Sequence, residues 1–267
     1  LFAGSWDGGD FKTWIGEPEE NKGWNYLGIA RATLEEYVRG NKKGQTSEKQ
    51  LAKATEAMLA AEGSDWFWWF GSDKDSGNDP AFDAQFRETL GQMYDALDLQ
   101  RPDYLSVPVI YAAPIEPDKS LEGVSSPDID GQVGAGEWQQ AGQFAFEGAR
   151  PAGLSFAFSK EKISLLLDQA PEDEFSVYIK VPAIQTGAPF SVEGKQVLEM
   201  DATHRVKIDA GGSAAVLQAW DGQDWAVVAN TPVVIKNGAA LELSFAHNAL
   251  WPTLDAGDAL LLRIATD

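Results

Sequence analysis

Two hydrophobic periods divide this chain. Up to about Leu99 the apolar positions recur at helical spacing, and beyond Pro102 they alternate. Pro18 with Glu19 and Glu20 suits a first helical turn, where the missing N–H costs nothing and negative charge meets the dipole. Trp24, Leu27, Leu34 and Val38 follow as a stripe expected to face the core, and Gly40 stops it. Ser47 and Gln50 have the spacing of a capping box ahead of Leu51, Ala54, Met58 and Ala61. Asp79 followed by Pro80 predicts an N-cap with proline at the first helical position, and Phe82, Phe86, Leu90, Met93 and Leu97 continue the stripe. Three amphipathic helices are expected. Pro102, Pro108, Pro114 and Pro117 then punctuate an extended connection. Past it, Phe175, Val177, Ile179 and Val181 alternate with Ser176, Tyr178 and Lys180. Leu241, Leu243 and Phe245 alternate likewise, as do Leu260, Leu262 and Ile264. Asp130-Gly131, Asp221-Gly222 and Asn237-Gly238 supply hairpin turns.

These patterns predict a multidomain α+β chain, an all-α helical domain followed by an antiparallel β-sandwich of about eight or more strands. The expected bounds are 18–101 for the helical domain, 102–117 for a linker and 118–267 for the sandwich.

Composition narrows the partners. Of 267 residues, 21 are basic and 41 acidic, a net charge of −20. A surface this negative argues against nucleic acid and anionic membrane, and it suits neutral partners such as sugars, or cationic ones. No cysteine is present, which removes disulfides, thiolate metal sites and cysteine nucleophiles while leaving the compartment open. No apolar run approaches the length of a transmembrane helix. The start, Leu1-Phe2-Ala3-Gly4-Ser5-Trp6-Asp7, lacks the regions of a signal peptide and an initiating Met, so the chain is expected to be a piece of something longer.

Candidate chemistry centres on aromatic rings. Six of the ten Trp precede residue 70, and Trp66-Phe67-Trp68-Trp69-Phe70 is an unbroken aromatic run. Five consecutive rings point to all sides of a helix or strand, so some must leave the core. Indole faces stack on the C–H faces of pyranoses, which makes the run a sugar platform or else an inter-domain interface. The carboxylates of the 71–79 segment fall short of a calcium loop, because glycine is one position early and Ala84 stands where a bidentate Glu is required. Asp128-Ile129-Asp130-Gly131 reads as a turn, and Gly134-Ala135-Gly136 lacks the third glycine of a dinucleotide fingerprint. His204 and His247 form no recognisable catalytic set and are expected at the surface. No cofactor or metal is expected.

Gly4-Ser5-Trp6-Asp7 with Trp14-Ile15-Gly16 and Glu20-Asn21-Lys22-Gly23-Trp24 resembles the segment that leaves the catalytic barrel in family 57 glycoside hydrolases of the amylopullulanase type. Residues 61–73, around Ser64-Asp65-Trp66, resemble that family's last conserved region, and Asn78-Asp79-Pro80 with Phe82 and Phe86 the helix after it. In the second half, Asp130-Gly131, Glu137-Trp138, Ala141-Gly142, residues 241–245 and Gly257-Asp258 resemble a glucodextranase-type, DOMON-like sandwich. The resemblance implies the C-terminal part of an α-glucan-active retaining hydrolase or transferase, with residues 1–17 the tail of a barrel that carries the catalytic Glu and Asp. Neither catalytic motif is matched here, so no catalytic residue is assigned. It implies an α-glucan oligosaccharide or polysaccharide and the barrel as partners. Trp6, Trp14, Asp65, Trp66, Trp68 and Trp69 would line outer glucan subsites, Asp65 alternatively capping a helix. A stand-alone carbohydrate-binding module and a purely structural tail are the competing expectations.

Overall fold

A computed structural model describes residues 4–40, 46–146, 151–170, 172–184, 186–191, 196–254 and 260–266. Gly257 and Asp258 of the sandwich resemblance, and Leu1, Phe2 and Ala3 of the start, lie outside the described residues. The chain is mixed α+β, with four α-helices and twelve strands among the described residues, and it divides into two compact units at Ala112/Ala113.

The first unit holds α1 (Pro18–Gly40), α2 (Glu48–Ala61), α3 (Ser64–Phe70) and α4 (Asp79–Ala96). The fourth helix is α3, made from the aromatic run. The buried face of α1 is Glu20, Gly23, Tyr26, Leu27 and Ala30, which keeps Leu27 of the expected stripe and leaves Trp24, Leu34 and Val38 outside it. Trp24 is 37% exposed and Val38 46%. The physical reason is Gly23: a side chain there would come within 2.9 Å of the Phe70 ring, so the helix presents its glycine to α3 and turns Trp24 to the rim. Ser47 caps α2 through the expected box, its hydroxyl accepting from Gln50 N while the Gln50 side chain returns to Ser47 N. The cap of α4 is Asn78, one residue earlier than expected, and Asp79 instead accepts from Ser76 N at 3.0 Å.

Residues 102–112 of the expected 102–117 linker belong to this unit. Leu105, Val107 and Val109 are buried in it. Asp83, 1% exposed, accepts from Arg87 Nε at 2.7 Å and from Ile110 N at 3.3 Å, while Arg87 Nη1 donates to Leu105 O at 2.9 Å. A buried ion pair on one face of α4 thus fastens the proline-punctuated segment down.

The second unit is an antiparallel sandwich. Its strands are β1 (Gly142–Ala145), β2 (Gly153–Phe158), β3 (Lys162–Leu167), β4 (Phe175–Lys180), β5 (Ala188–Phe190), β6 (Val197–Ala202), β7 (His204–Ile208), β8 (Ala215–Trp220), β9 (Trp225–Pro232), β10 (Val234–Asn237), β11 (Leu241–Ala246) and β12 (Leu261–Thr266). One sheet has the order β1-β2-β3-β11-β10, the other β12-β4-β7-β8-β9, and β5-β6 form a separate ribbon. The expected alternating residues Phe175, Val177, Ile179, Leu241, Leu243 and Phe245 meet between the sheets.

Most of their alternates are buried as well. Ser176 and Tyr178 are fully covered, Tyr178 clustering with Leu198 and Met200 of the β6 ribbon. Glu242 is fully covered too. Its carboxylate accepts from Trp138 Nε1 at 3.0 Å, Asp130 N at 3.1 Å and Gly131 N at 2.8 Å. Gly131 has φ +85°, and a Cβ there would lie 3.2 Å from Gly238 N, so glycine answers both the turn and the close approach. His204 is a further departure. It lies in β7, 5% exposed, with Nδ1 3.1 Å from Thr203 Oγ1, and burial lowers its pKa to about 4. His247 is half-buried, with Nε2 2.7 Å from Lys160 O and its ring stacked on Phe158.

Candidate functional site

The seven residues of α3 sort five adjacent rings by helical geometry. Phe67 and Phe70, three apart, are buried and meet Phe86 of α4 edge-on at 6.0 and 5.2 Å. Burying a ring of this size contributes about 1.5–3 kcal/mol, so these two anchor the helix. Trp66 turns to α4 as well, its ring 4.9 Å from Phe82 and its Nε1 donating to Ala60 O at 2.9 Å. That leaves Trp68 and Trp69, of which Trp68 meets other rings.

Trp68 is joined by the segment before α1. The Trp6 ring lies nearly parallel to it, centroids 5.6 Å apart at 13°, and Trp14 meets both edge-on, 6.2 Å from Trp6 and 5.4 Å from Trp68. Trp6 is nevertheless 82% exposed. One indole face is therefore spent on the stack and the other is open. A side chain with this much apolar area, held flat by a neighbour and left in water, is the feature that packing alone does not require.

The segment is held by polar bonds as well as rings. Trp24 Nε1 donates to Trp14 O at 2.7 Å, and its ring stacks on Phe67 at 3.8 Å. Thr13 Oγ1 donates to Asp7 Oδ2 at 2.7 Å, and Glu17 Oε2 accepts from Ser72 N at 2.6 Å. Glu20 accepts from Glu17 N, and burial raises its pKa against that hydrogen bond. Lys74 Nζ is 5.0 Å from the Trp68 centroid, over the ring, and pairs with Asp73 at 2.8 Å. That hydrogen bond first, and then the charges of Asp73, Asp7 and Glu17, raise the Lys74 pKa.

Of the expected site residues, Trp6, Trp14 and Trp68 come together. Trp66 belongs to the α4 packing. Trp69 is half-buried and makes no ring contact among the described residues. Asp65 is exposed in the first turn of α3, where its charge suits the helix dipole, but the N-cap is Gly63. Asp7, Thr13, Glu17 and Lys74 join the site without being marked as site residues by any sequence motif. The only signal was that Lys74 falls in the carboxylate-rich loop beside the aromatic run. That loop bonds to itself, Asp75 accepting from Gly77 N and Asp79 from Ser76. No group of three or more metal-ligating side chains occurs among the described residues.

The chain matches no family model, no curated protein and no solved structure.

Proposed function

We propose that the Trp6–Trp14–Trp68 stack is an outer sugar platform, and that the chain is the C-terminal, non-catalytic part of an α-glucan-active glycoside hydrolase or transferase. The observation that carries the reading is Trp6, parallel to Trp68 at 13° and 82% exposed. A pyranose ring needs a flat, solvent-facing indole with its tilt fixed in advance, and the buttressing by Trp68 and Trp14 supplies that. The substrate class is proposed from the motif resemblance of residues 4–24 and 61–73 to family 57 enzymes. Bond cleavage is assigned to the barrel of such an enzyme, and no catalytic group is assigned here.

A second reading is favoured by Phe11 and Ile15, which are 55% and 49% exposed in the same N-terminal segment. They suit a surface that seats against a neighbouring domain.

The test is affinity electrophoresis of the intact chain in gels containing soluble starch or pullulan. Retardation that is lost in Trp6→Ala and Trp68→Ala, with near-UV circular dichroism otherwise preserved, supports the platform. Retardation unchanged in both variants overturns it. The chain alone should release no reducing sugar from either polymer.

A further inference from the structure

The stack is a charged as well as an aromatic site. Lys74 shows that its indoles already attract an ammonium group, held over the Trp68 ring. Asp73 pairs with that ammonium at 2.8 Å, Asp7 follows Trp6 in the chain and accepts from Thr13 Oγ1 at 2.7 Å, and Glu17 accepts from Ser72 N, next to Asp73, at 2.6 Å. Lys12, the other cation of the N-terminal segment, pairs with Asp10 at 3.4 Å and cancels it. With Lys74 paired to Asp73, the carboxylates of Asp7 and Glu17 form no ion pair among the described residues, and the net charge of the chain is −20. A ligand ammonium arriving at the open face of Trp6 would meet an indole quadrupole and unbalanced carboxylates together, whereas a ligand carboxylate would meet repulsion from the same groups.

We infer that the open face of Trp6 ranks saccharides by charge, taking ammonium-bearing amino-sugar oligomers above neutral ones and excluding uronate-bearing chains. This rests on the reading of the stack as a sugar platform. It adds a ligand class, oligomers of glucosamine, which the glucan resemblance does not suggest.

The experiment is calorimetric titration of the intact chain at about pH 6 with three probes: glucosamine oligomers, the same oligomers N-acetylated, and oligogalacturonate. The acetylated probe keeps the backbone and removes the charge. At about 0.01 M salt, where the screening length is roughly 30 Å, the glucosamine oligomer should bind about threefold to fivefold tighter than its acetylated form. The advantage should shrink to near parity at about 1 M salt, where screening is complete within roughly 3 Å. Asp7→Asn, which keeps an acceptor for Thr13, should reduce the advantage. Oligogalacturonate should give no heat of binding.

Trp6→Ala separates the outcomes. If it abolishes both sugars' binding while the wild-type chain shows the charge preference, the inference stands. If it abolishes both but the wild-type affinities are equal, the charge ranking is overturned and the platform survives. If glucosamine oligomers bind Trp6→Ala undiminished, the attraction belongs to the acidic surface at large and the ranking is again overturned. Failure of every neutral and cationic sugar to bind the wild-type chain overturns the platform itself, and the ranking with it.

Discussion

Glu242 gives the sharpest test of how the sandwich is held. Its side chain is fully buried on the outward face of β11, where one carboxylate serves three donors: Trp138 Nε1 on one oxygen, and Asp130 N and Gly131 N on the other. Glu242→Ala removes the acceptor and leaves the donors. Asp130 is exposed and water can serve its amide, but Gly131 and Trp138 are buried. Two orphaned buried donors cost roughly 1–3 kcal/mol each, so the loss is about 4 kcal/mol. Glu242→Gln keeps one carbonyl oxygen and turns an amide N–H₂ toward the remaining donors, so it should cost about half as much, roughly 2 kcal/mol. The measurement is hydrogen exchange of the intact chain, followed in peptides spanning residues 128–141, with urea unfolding alongside. Trp138→Phe removes one donor with its acceptor still present, and in the Glu242→Leu background it should recover part of the loss. A coupling of about 1 kcal/mol or more is expected between the two positions. Unchanged protection across 128–141 in Glu242→Ala, together with zero coupling, would refute the argument.

Two further outcomes follow from buried charge. Asp83→Ala should destabilise the helical unit by about 3 kcal/mol, because it strands the Arg87 guanidinium; the double variant Asp83→Ala/Arg87→Met should recover a large part, read by urea unfolding at far-ultraviolet wavelengths. His204 is held neutral, its pKa lowered by burial from 6.5 to about 4. The unfolded chain therefore binds the extra proton first as pH falls. The stability contributed by neutral His204 is complete above pH 6.5 and is lost progressively toward pH 4, up to roughly 3 kcal/mol. His204→Gln should flatten that part of the stability–pH curve, and a curve of the same slope in wild type and variant would count against it.

Much of the fold is legible in the sequence because the relevant signals are local. The Ser47–Gln50 box and the alternation through Phe175–Val181 require only neighbours along the chain, and both elements form. What was not legible depends on contacts distant in sequence. Tyr178 and Glu242 alternate out of the main core and would face water in a bare sandwich. They are buried because the β5–β6 ribbon and the 128–141 loop fold back over the sheets. The same holds for the proline-rich stretch, whose spacing suggests a free connection. Its attachment to the helices depends on the Asp83–Arg87 pair, and nothing in the local pattern of Leu105, Val107 and Val109 reveals that.

The aromatic run shows where periodicity stops being informative for a site. Five adjacent rings guarantee that some leave the core, but which ones is decided by the partners available in three dimensions. Gly23 lets α1 approach the Phe70 side of α3, and Phe82 and Phe86 of α4 claim Trp66. Trp68 is then the ring left for Trp6 and Trp14 to join. Sequence placed Trp66, Trp68 and Trp69 in one group, whereas packing divides them among three surroundings. The most exposed of the tryptophans, Trp6, lies outside the run altogether. A buried anchor can be replaced only at the cost of the helix, whereas Trp6 contributes one face to the fold and leaves the other to solvent. Trp6→Ala is therefore the variant in which loss of binding and loss of folding should separate.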